Sequence, residues 1–364
     1  MNHRIDQLIN ELKQRSIDSM FITSKANIFY FSQLYAEAHE RLIALYIDQK
    51  GNRVLVVPAL ELEDVKNTGW KEAIITYYDH EDPWEKFNEW VKKTGFTPSS
   101  IGIEEESLNV QRYKLLQKHL PTSELVDGQL LLNQMRVIKD ESEASILQEA
   151  AKFADFGVET AVKHIQPGKT ELEIIAQVEY ALKKEGIRHM SFSTLVLSGD
   201  KTAAPHGNPS TKVIESGDFV LMDLGVIHNG YCSDITRTVA VGDISDEQKE
   251  IYNTVLNAEL AGLDACQIGT PLGEIDRAAR DVIEKAGYGE YFTHRIGHGL
   301  GIDVHEFPSM ASNNQDPLQA GMSFTIEPGI YLPGAGGVRI EDDVLMTKQG
   351  AKTLTKYPKE LIIL

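Results

Sequence analysis

The chain has 364 residues, 42% of them hydrophobic, with 54 acidic against 36 basic side chains and a net charge of −18. Such a length can bury a sizeable core and predicts two domains, and the acidic balance argues against nucleic acid or anionic membrane as a main partner. Only two cysteines occur, Cys232 and Cys266, so no disulfide framework and a reducing cytoplasm are expected; MNHRIDQLINELKQ lacks an apolar signal-peptide core, and no run nears the roughly 18–20 apolar residues of a membrane span.

In chain order, Ile5, Leu8, Ile9 and Leu12 have helical spacing over residues 4–15, and Ser16–Asp18 end that helix. MFIT (20–23) predicts a strand, and LIALYID with RVLVVP predicts a hairpin around Lys50-Gly51-Asn52. A strand over Ile74–Tyr78, a helix over Trp84–Lys93, a strand at 101–105 and a helix through Tyr113–Leu120 follow. This alternation predicts an α/β domain of about 125 residues. It carries no metal or nucleotide motif, so a structural or substrate-shaping role is expected of it. Pro121–Glu124 reads as a linker, which gives domains at 1–127 and 128–364. Beyond it, apolar positions at 146, 150, 153, 157 and 161 predict a long helix over Glu141–His164.

The second part repeats itself. Gln166-Pro-Gly168, Glu173-Ile174 and Lys184-Glu-Gly186 recur 101 positions later as Gln267-Ile-Gly269, Glu274-Ile275 and Lys285-Ala-Gly287. Gly217…Asp223-Leu-Gly225 recurs, shifted by 104, as Gly321…Glu327-Pro-Gly329. Duplication predicts two halves, each of paired helices plus sheet, related by a pseudo-twofold axis with Asp223 and Glu327 in equivalent places.

Within the first half, FVLMDLGVIHNGYCSD has an Asn229-Gly230 pair between two strand-like runs, a strong signal for a type I′ hairpin. Residues whose numbers sum to 459 then face each other, and Asp234 lies opposite Gly225. Asp223 shares that face, so the two carboxylates are diagonal neighbours roughly 5–8 Å apart. Unpaired carboxylates that close repel, and a divalent cation would relieve them.

In the second half, IGHGLGIDVHEFP sets His298 between two glycines with His305 seven residues on. An odd spacing sends the two imidazoles to opposite faces of a regular strand, so a bulge or turn is required for both to meet one site. Glu327 ends an apolar strand at Pro328-Gly329, and Glu341 sits in a strand with Arg339 on the same face two positions earlier. Asp342 reads as a solvated acidic edge. Asp223, Asp234, Glu327 and Glu341 stand in apolar contexts where charge needs compensation. With one imidazole they make a hard, oxygen-rich set suited to Mn²⁺, Co²⁺, Fe²⁺ or Zn²⁺.

Asp223, Asp234, His298, Glu327 and Glu341, in that order, resemble the five ligands of the pita-bread metallopeptidases, which include methionine aminopeptidase, aminopeptidase P and prolidase. HGLGIDVHE (298–306) and EPGIY (327–331) resemble signatures of the Xaa-Pro members, and the match spans roughly residues 130–355. NIFYFSQL (27–34) resembles the creatinase-type domain that prolidases and aminopeptidases P carry and methionine aminopeptidases lack. The resemblance implies an α+β chain: a C-terminal pita-bread fold with a pseudo-twofold repeat, behind a smaller α/β creatinase-type domain.

It also implies two divalent ions, manganese first and cobalt, zinc or iron as alternatives. Asp223 would chelate one, His298 and Glu327 the other, and Asp234 and Glu341 would bridge them around a water acidified towards hydroxide. Glu327 would shuttle its proton, His305 would steady the scissile carbonyl oxygen, and His206 would lie near the amide nitrogen and proline ring. Arg339 would orient Glu341, Tyr331 would line the pocket, and Phe192 and Phe307-Pro308 are candidate walls for the ring. The expected activity is hydrolysis of Xaa-Pro bonds, in dipeptides (prolidase) or at peptide N-termini (aminopeptidase P), by a cytoplasmic homodimer. A creatinase-like, metal-independent amidinohydrolase and a non-catalytic binding protein are the alternatives; both predict eroded ligands, and all five are intact here.

Overall fold

The computed structural model describes residues 2–37 and 39–364. The chain divides into two compact units, one up to Met135 and one from Arg136 to Leu364.

In the first unit a six-stranded sheet runs in the order Ala73–Tyr77, Arg53–Pro58, Ala44–Asp48, Ser19–Ile22, Ser100–Ile103, Glu124–Asp127. The two central pairings are antiparallel and the outer ones parallel. Residues 54–57 are all buried, since a largely parallel sheet covered on both faces needs a continuous apolar run rather than alternation. The hairpin forms between Ala44–Asp48 and Arg53–Pro58; Gly51 takes φ 93°, and Asp48 Oδ1 accepts from the Lys50 and Asn52 amides (2.9 and 3.0 Å).

Two elements differ from the sequence reading. Pro121–Glu124 does not open a linker: Glu124–Asp127 is an edge strand paired in parallel with Ser100–Ile103, and a helix, Gln129–Val137, follows. A helix at Lys25–Ser32 also goes unforeseen. All but its first residue are buried, so it has no amphipathic stripe to read. Its start is marked by Ser24, whose Oγ accepts from the Asn27 amide (3.3 Å).

The second unit is duplicated, as expected. Helices Glu141–His164 and Glu171–Lys184 are matched by Asp246–Ala265 and Leu272–Lys285, and the second helix of each pair begins and ends 101 positions apart. The glycines that flank these helices match in conformation: Gly168 and Gly269 at φ 91° and 88°, Gly186 and Gly287 at 91° and 89°. Left-handed φ at these turns is a position only glycine fills without strain. Their hydrogen bonds match too, with Gly168 N donating to Ile214 O (3.0 Å) and Gly269 N to Leu318 O (2.8 Å).

Each helix pair packs its apolar face on an antiparallel sheet and forms its own core. In the first half the strands are Leu195–Ser198, Phe219–Leu224 and Ile235–Ala240, with the middle one central. In the second the equivalents are His298–Gly299, Ser323–Ile326 and Asp342–Thr347, extended outward by Glu306–Ser309 and Gly350–Thr353. The halves meet along one seam, where Glu341 N donates to Thr236 O and Thr238 Oγ1 to Arg339 O (both 3.1 Å).

The hairpin has the anticipated register. Asn229 and Gly230 take φ 47° and 83°, His228 faces Tyr231, and pairs summing to 459 continue through Asp223 opposite Thr236 to Phe219 opposite Ala240. The ladder is interrupted at Gly225, where a Cβ would stand 1.8 Å from Ser233 O. That close approach needs glycine. Among the described residues no helix is long and apolar enough to cross a membrane.

Candidate metal centre and substrate pocket

At the seam lies a cavity of about 470 Å³ whose walls include Asp223, Asp234, His298, Glu327 and Glu341. Asp234, His298 and Glu341 each offer a ligand atom within 4.8 Å of the others. His298 Nε2 stands 3.3 Å from Glu327 Oε1 and 3.8 Å from Asp234 Oδ2. His298 is aimed by its backbone: its amide bonds Thr325 Oγ1 (3.2 Å), and Nδ1 lies 3.1 Å from Gly299 O. A proton on Nδ1 would satisfy that carbonyl, and a cation replacing the Nε2 proton would then meet the Nε2 lone pair among the carboxylates.

Three of the four carboxylates are held by a side-chain donor. Thr325 Oγ1 donates to Glu327 Oε1 (3.1 Å), Thr236 Oγ1 to Glu341 Oε2 (2.6 Å), and the Arg339 guanidinium to Asp223 Oδ2 (2.5 Å). Asp223 Oδ1 and Asp234 Oδ1 are buried without any partner. Burial raises the Asp234 and Glu341 carboxyls well above the usual range, reinforced by their negative neighbours, and raises Asp223 despite Arg339. Glu327 goes the other way. Burial works against it, but the hydrogen bond and charge of His298 outweigh burial and hold it at about 2.

These opposite shifts share one cause. Four buried carboxylates face one guanidinium and one imidazole, so the local charge balance is short of positive charge. Orphaned carboxylate oxygens, oxygen-rich donors and a freed imidazole nitrogen together fit divalent cations.

Four further sequence-predicted site residues border the same cavity: His206, His305, Tyr331 and Arg339. His206 is exposed in the loop after the 3₁₀ turn Gly199–Ala203. The required irregularity before His305 exists: the register shifts between His298 and Gly299, and the two imidazoles meet edge to face with centroids 4.2 Å apart. Burial, with His298 alongside, lowers the His305 pKa, so its ring is neutral at pH 7.

Four expectations change. Arg339 does not touch Glu341; it donates to Asp223, Thr236 Oγ1 and Tyr331 Oη, and only the Thr236 hydroxyl links it onward to Glu341. Glu341 lies just outside a strand, with Ile340 between Gly336–Arg339 and Asp342–Thr347. Asp342 is not solvated: it is fully buried, paired with Arg237 (2.7 Å) and Lys359 (2.5 Å). Phe192 borders the cavity, but Phe307 packs on the second-half core and Phe307-Pro308 lies in the outer strand Glu306–Ser309.

Several residues went unread. His294 lines the cavity, and its Nε2 meets Tyr331 Oη at 2.8 Å. Arg295 lines it too, exposed and bonded to Ser309 Oγ (3.0 Å). Thr236 and Thr325 stand two residues from Asp234 and Glu327, a spacing that could have marked them as same-face partners.

Two family models match the chain: the creatinase/prolidase N-terminal domain over residues 4–138 and metallopeptidase family M24 over 145–348. A Bacillus subtilis (strain 168) protein carrying the name "Putative dipeptidase YkvY" is 50% identical over 362 residues, all of both chains. The structure of an Xaa-Pro dipeptidase from Bacillus anthracis superposes with a TM-score of 0.93 at 38% identity, covering 100% of this chain and 99% of that one. An X-Pro aminopeptidase from Thermotoga maritima MSB8 superposes at 0.88 with 32% identity, covering 99% and 100%. With both domains matched and the whole length shared, this chain belongs to metallopeptidase family M24.

Proposed function

We propose that the protein hydrolyses the Xaa-Pro bond of dipeptides with the help of two divalent metal ions, manganese first among them. The observation that carries this reading is the convergence of four carboxylates and His298, two carboxylate oxygens orphaned, in a cavity that also presents His206 and His305. Asp223, Asp234, His298, Glu327 and Glu341 would hold the ions, with Asp234 and Glu341 shared between them. When bound, such ions acidify a shared water towards hydroxide and polarise the scissile carbonyl.

The chain's own residues would do the rest. Glu327, ionised and beside His298, can take a proton from the attacking water and return it to the leaving nitrogen. His305, neutral, can donate an N–H to the carbonyl oxygen as it gains charge. His206 would lie near the amide nitrogen and the proline ring, and Phe192 and Pro205 are apolar wall for that ring. Arg339 and Tyr331 keep Asp223 oriented. An Xaa-Pro bond offers no amide N–H for strand-like docking, so gripping its carbonyl and ring is the workable alternative. The protein would be a homodimer whose chains each carry an N-terminal domain (1–127) and a catalytic domain (128–364). Both cysteines are buried and unpaired, which supports a reducing cytoplasm as its location.

Dipeptides are favoured over longer peptides by Arg295. It and Arg339 are the guanidinium groups on the cavity wall, and Arg339 is engaged by Asp223. Arg295, bonded to the Ser309 hydroxyl through one nitrogen, can meet with its remaining N–H groups the terminal carboxylate that a dipeptide has next to its proline and a longer peptide does not. Arg295→Gln should raise KM for Ala-Pro about tenfold, the worth of a charge-assisted hydrogen bond, and leave Ala-Pro-Ala unaffected. An equal effect on both substrates would remove the argument. For the activity itself, EDTA-stripped protein should cleave Ala-Pro when Mn²⁺ is restored and leave creatine untouched. Creatine turnover without metal would favour the amidinohydrolase alternative, and preferred cleavage of Ala-Pro-Ala the aminopeptidase one.

A further inference from the structure

We infer that Glu306, clamped by Arg136 and Lys139, is the positioning residue that holds His305 in the pocket; this rests on the role given to His305 above. Residues 301–305 belong to no strand: the chain leaves the ladder after His298–Gly299 and rejoins it at Glu306–Ser309. An exposed imidazole on such a loop needs a brace to keep one orientation. The brace begins at the next residue. The Glu306 side chain is 4% exposed; its Oε2 accepts from Lys139 Nζ (3.1 Å), and its Oε1 from the Asp303 amide (3.0 Å) and from Arg136. Arg136 Nη2 also reaches Asp303 Oδ2 (3.0 Å), so both residues flanking Val304-His305 are tied to one guanidinium.

The clamp is anchored elsewhere in the second half. Lys139 N donates to Gly321 O (2.8 Å), just before the strand whose end carries Glu327, and Lys139 Nζ also bonds Arg136 O (2.8 Å). Gly301 makes room for it, since a Cβ there would lie 2.7 Å from both Glu306 carboxylate oxygens. That accounts for the third glycine of GHGLG. Two cations oppose two carboxylates in this group, and the Lys139 side chain is only 2% exposed. A buried charge cluster of this kind returns little net stability compared with apolar side chains of equal volume. What it fixes is geometry, and the geometry it fixes is that of the loop bearing His305.

The test is a mutant cycle on the full-length, Mn²⁺-loaded protein. Lys139→Met with Glu306→Gln removes one cation and one anion together. Its kcat for Ala-Pro should fall about 10- to 50-fold, as for other residues that orient a site group, with KM within about twofold and the manganese content unchanged. His305→Ala should lose as much, and the triple variant should lose no more than His305→Ala alone. Additive losses, an unchanged kcat in the double variant, or loss of manganese would overturn the inference. Should the double variant fail to fold, Asp303→Asn carries the test with an expected threefold fall in kcat (about that of a partial constraint), and no fall overturns it. If wild type does not cleave Ala-Pro, the Xaa-Pro reading fails by itself. The clamp is then judged by the ring ¹⁵N resonance of His305 in histidine-labelled protein: displaced or broadened in the double variant if the clamp positions the ring, unchanged if it does not.

Discussion

Asp234→Asn will bind neither ion of the pair and will lose about four orders of magnitude in kcat/KM for Ala-Pro, or about 5.5 kcal/mol of transition-state stabilisation. The same substitution will stabilise the metal-free protein. In that state burial, and after it the charges of Glu341 and Asp223, push the Asp234 carboxyl well above the usual range. A carboxyl whose pKa is raised on folding makes the native chain bind more protons than the unfolded one, so stability falls as pH rises from the ordinary carboxylate value near 4 towards the raised one. Below that window there is no penalty; above it the penalty is complete. EDTA-treated wild type should therefore melt lower at pH 8 than at pH 5, and Asp234→Asn should melt above wild type at pH 8. A variant that melts below stripped wild type at pH 8, or that still binds two ions, contradicts the hairpin argument.

Arg237→Met is the second large effect, and it falls on stability. Arg237 is 2% exposed and sits beside Thr236 on the seam. It donates to Asp342 Oδ1 (2.7 Å), to the Thr236 and Glu341 carbonyls (2.9 and 2.5 Å), and to the carbonyls of Tyr357 and Pro358 (2.7 and 3.0 Å). It thus joins the first-half hairpin, the residue before Asp342 and the C-terminal segment. Burial tends to raise the Asp342 carboxyl, but Arg237 and then Lys359 outweigh it and hold it below the usual range. Removing the guanidinium leaves a buried carboxylate with Lys359 and the Thr355 hydroxyl as its partners, and several carbonyls unpaired. The expected cost is about 3–5 kcal/mol, a drop of roughly 10 °C in the melting temperature. Because Asp342 is depressed, the stability it contributes exists above its unfolded value and disappears as pH falls through the lower native one. The deficit of Arg237→Met should accordingly shrink in acid. A melting temperature within 2 °C (about 0.5–1 kcal/mol) of wild type at pH 7 would show the network to be dispensable.

What could be read from the sequence was local or periodic. Asn229-Gly230 set the hairpin register, and with it the shared face of Asp223 and Asp234. The repeat placed Glu327 opposite Asp223 in the duplicated fold, and the observed ends of the second helix of each pair follow its 101-residue offset. The misreadings came from partners distant in the chain. Asp342 looked solvated because Arg237, 105 residues away, is invisible to a local window. Arg339 pointed to Glu341 by strand period, yet its carboxylate partner is Asp223, 116 residues earlier. Lys25–Ser32 hid because a helix buried all round has no period, and Glu124–Asp127 because an exposed edge strand resembles a polar linker. His294 belongs to none of the motifs read from the sequence; only the fold brings it to Tyr331.

The central claim is a two-ion hydrolytic site built on Asp223, Asp234, His298, Glu327 and Glu341. Manganese titrated into EDTA-stripped protein, with Ala-Pro hydrolysis followed at each addition, tests it most directly. The account predicts activity that rises to a plateau at two ions per chain. A plateau at one ion, or no hydrolysis at any manganese content, would contradict it.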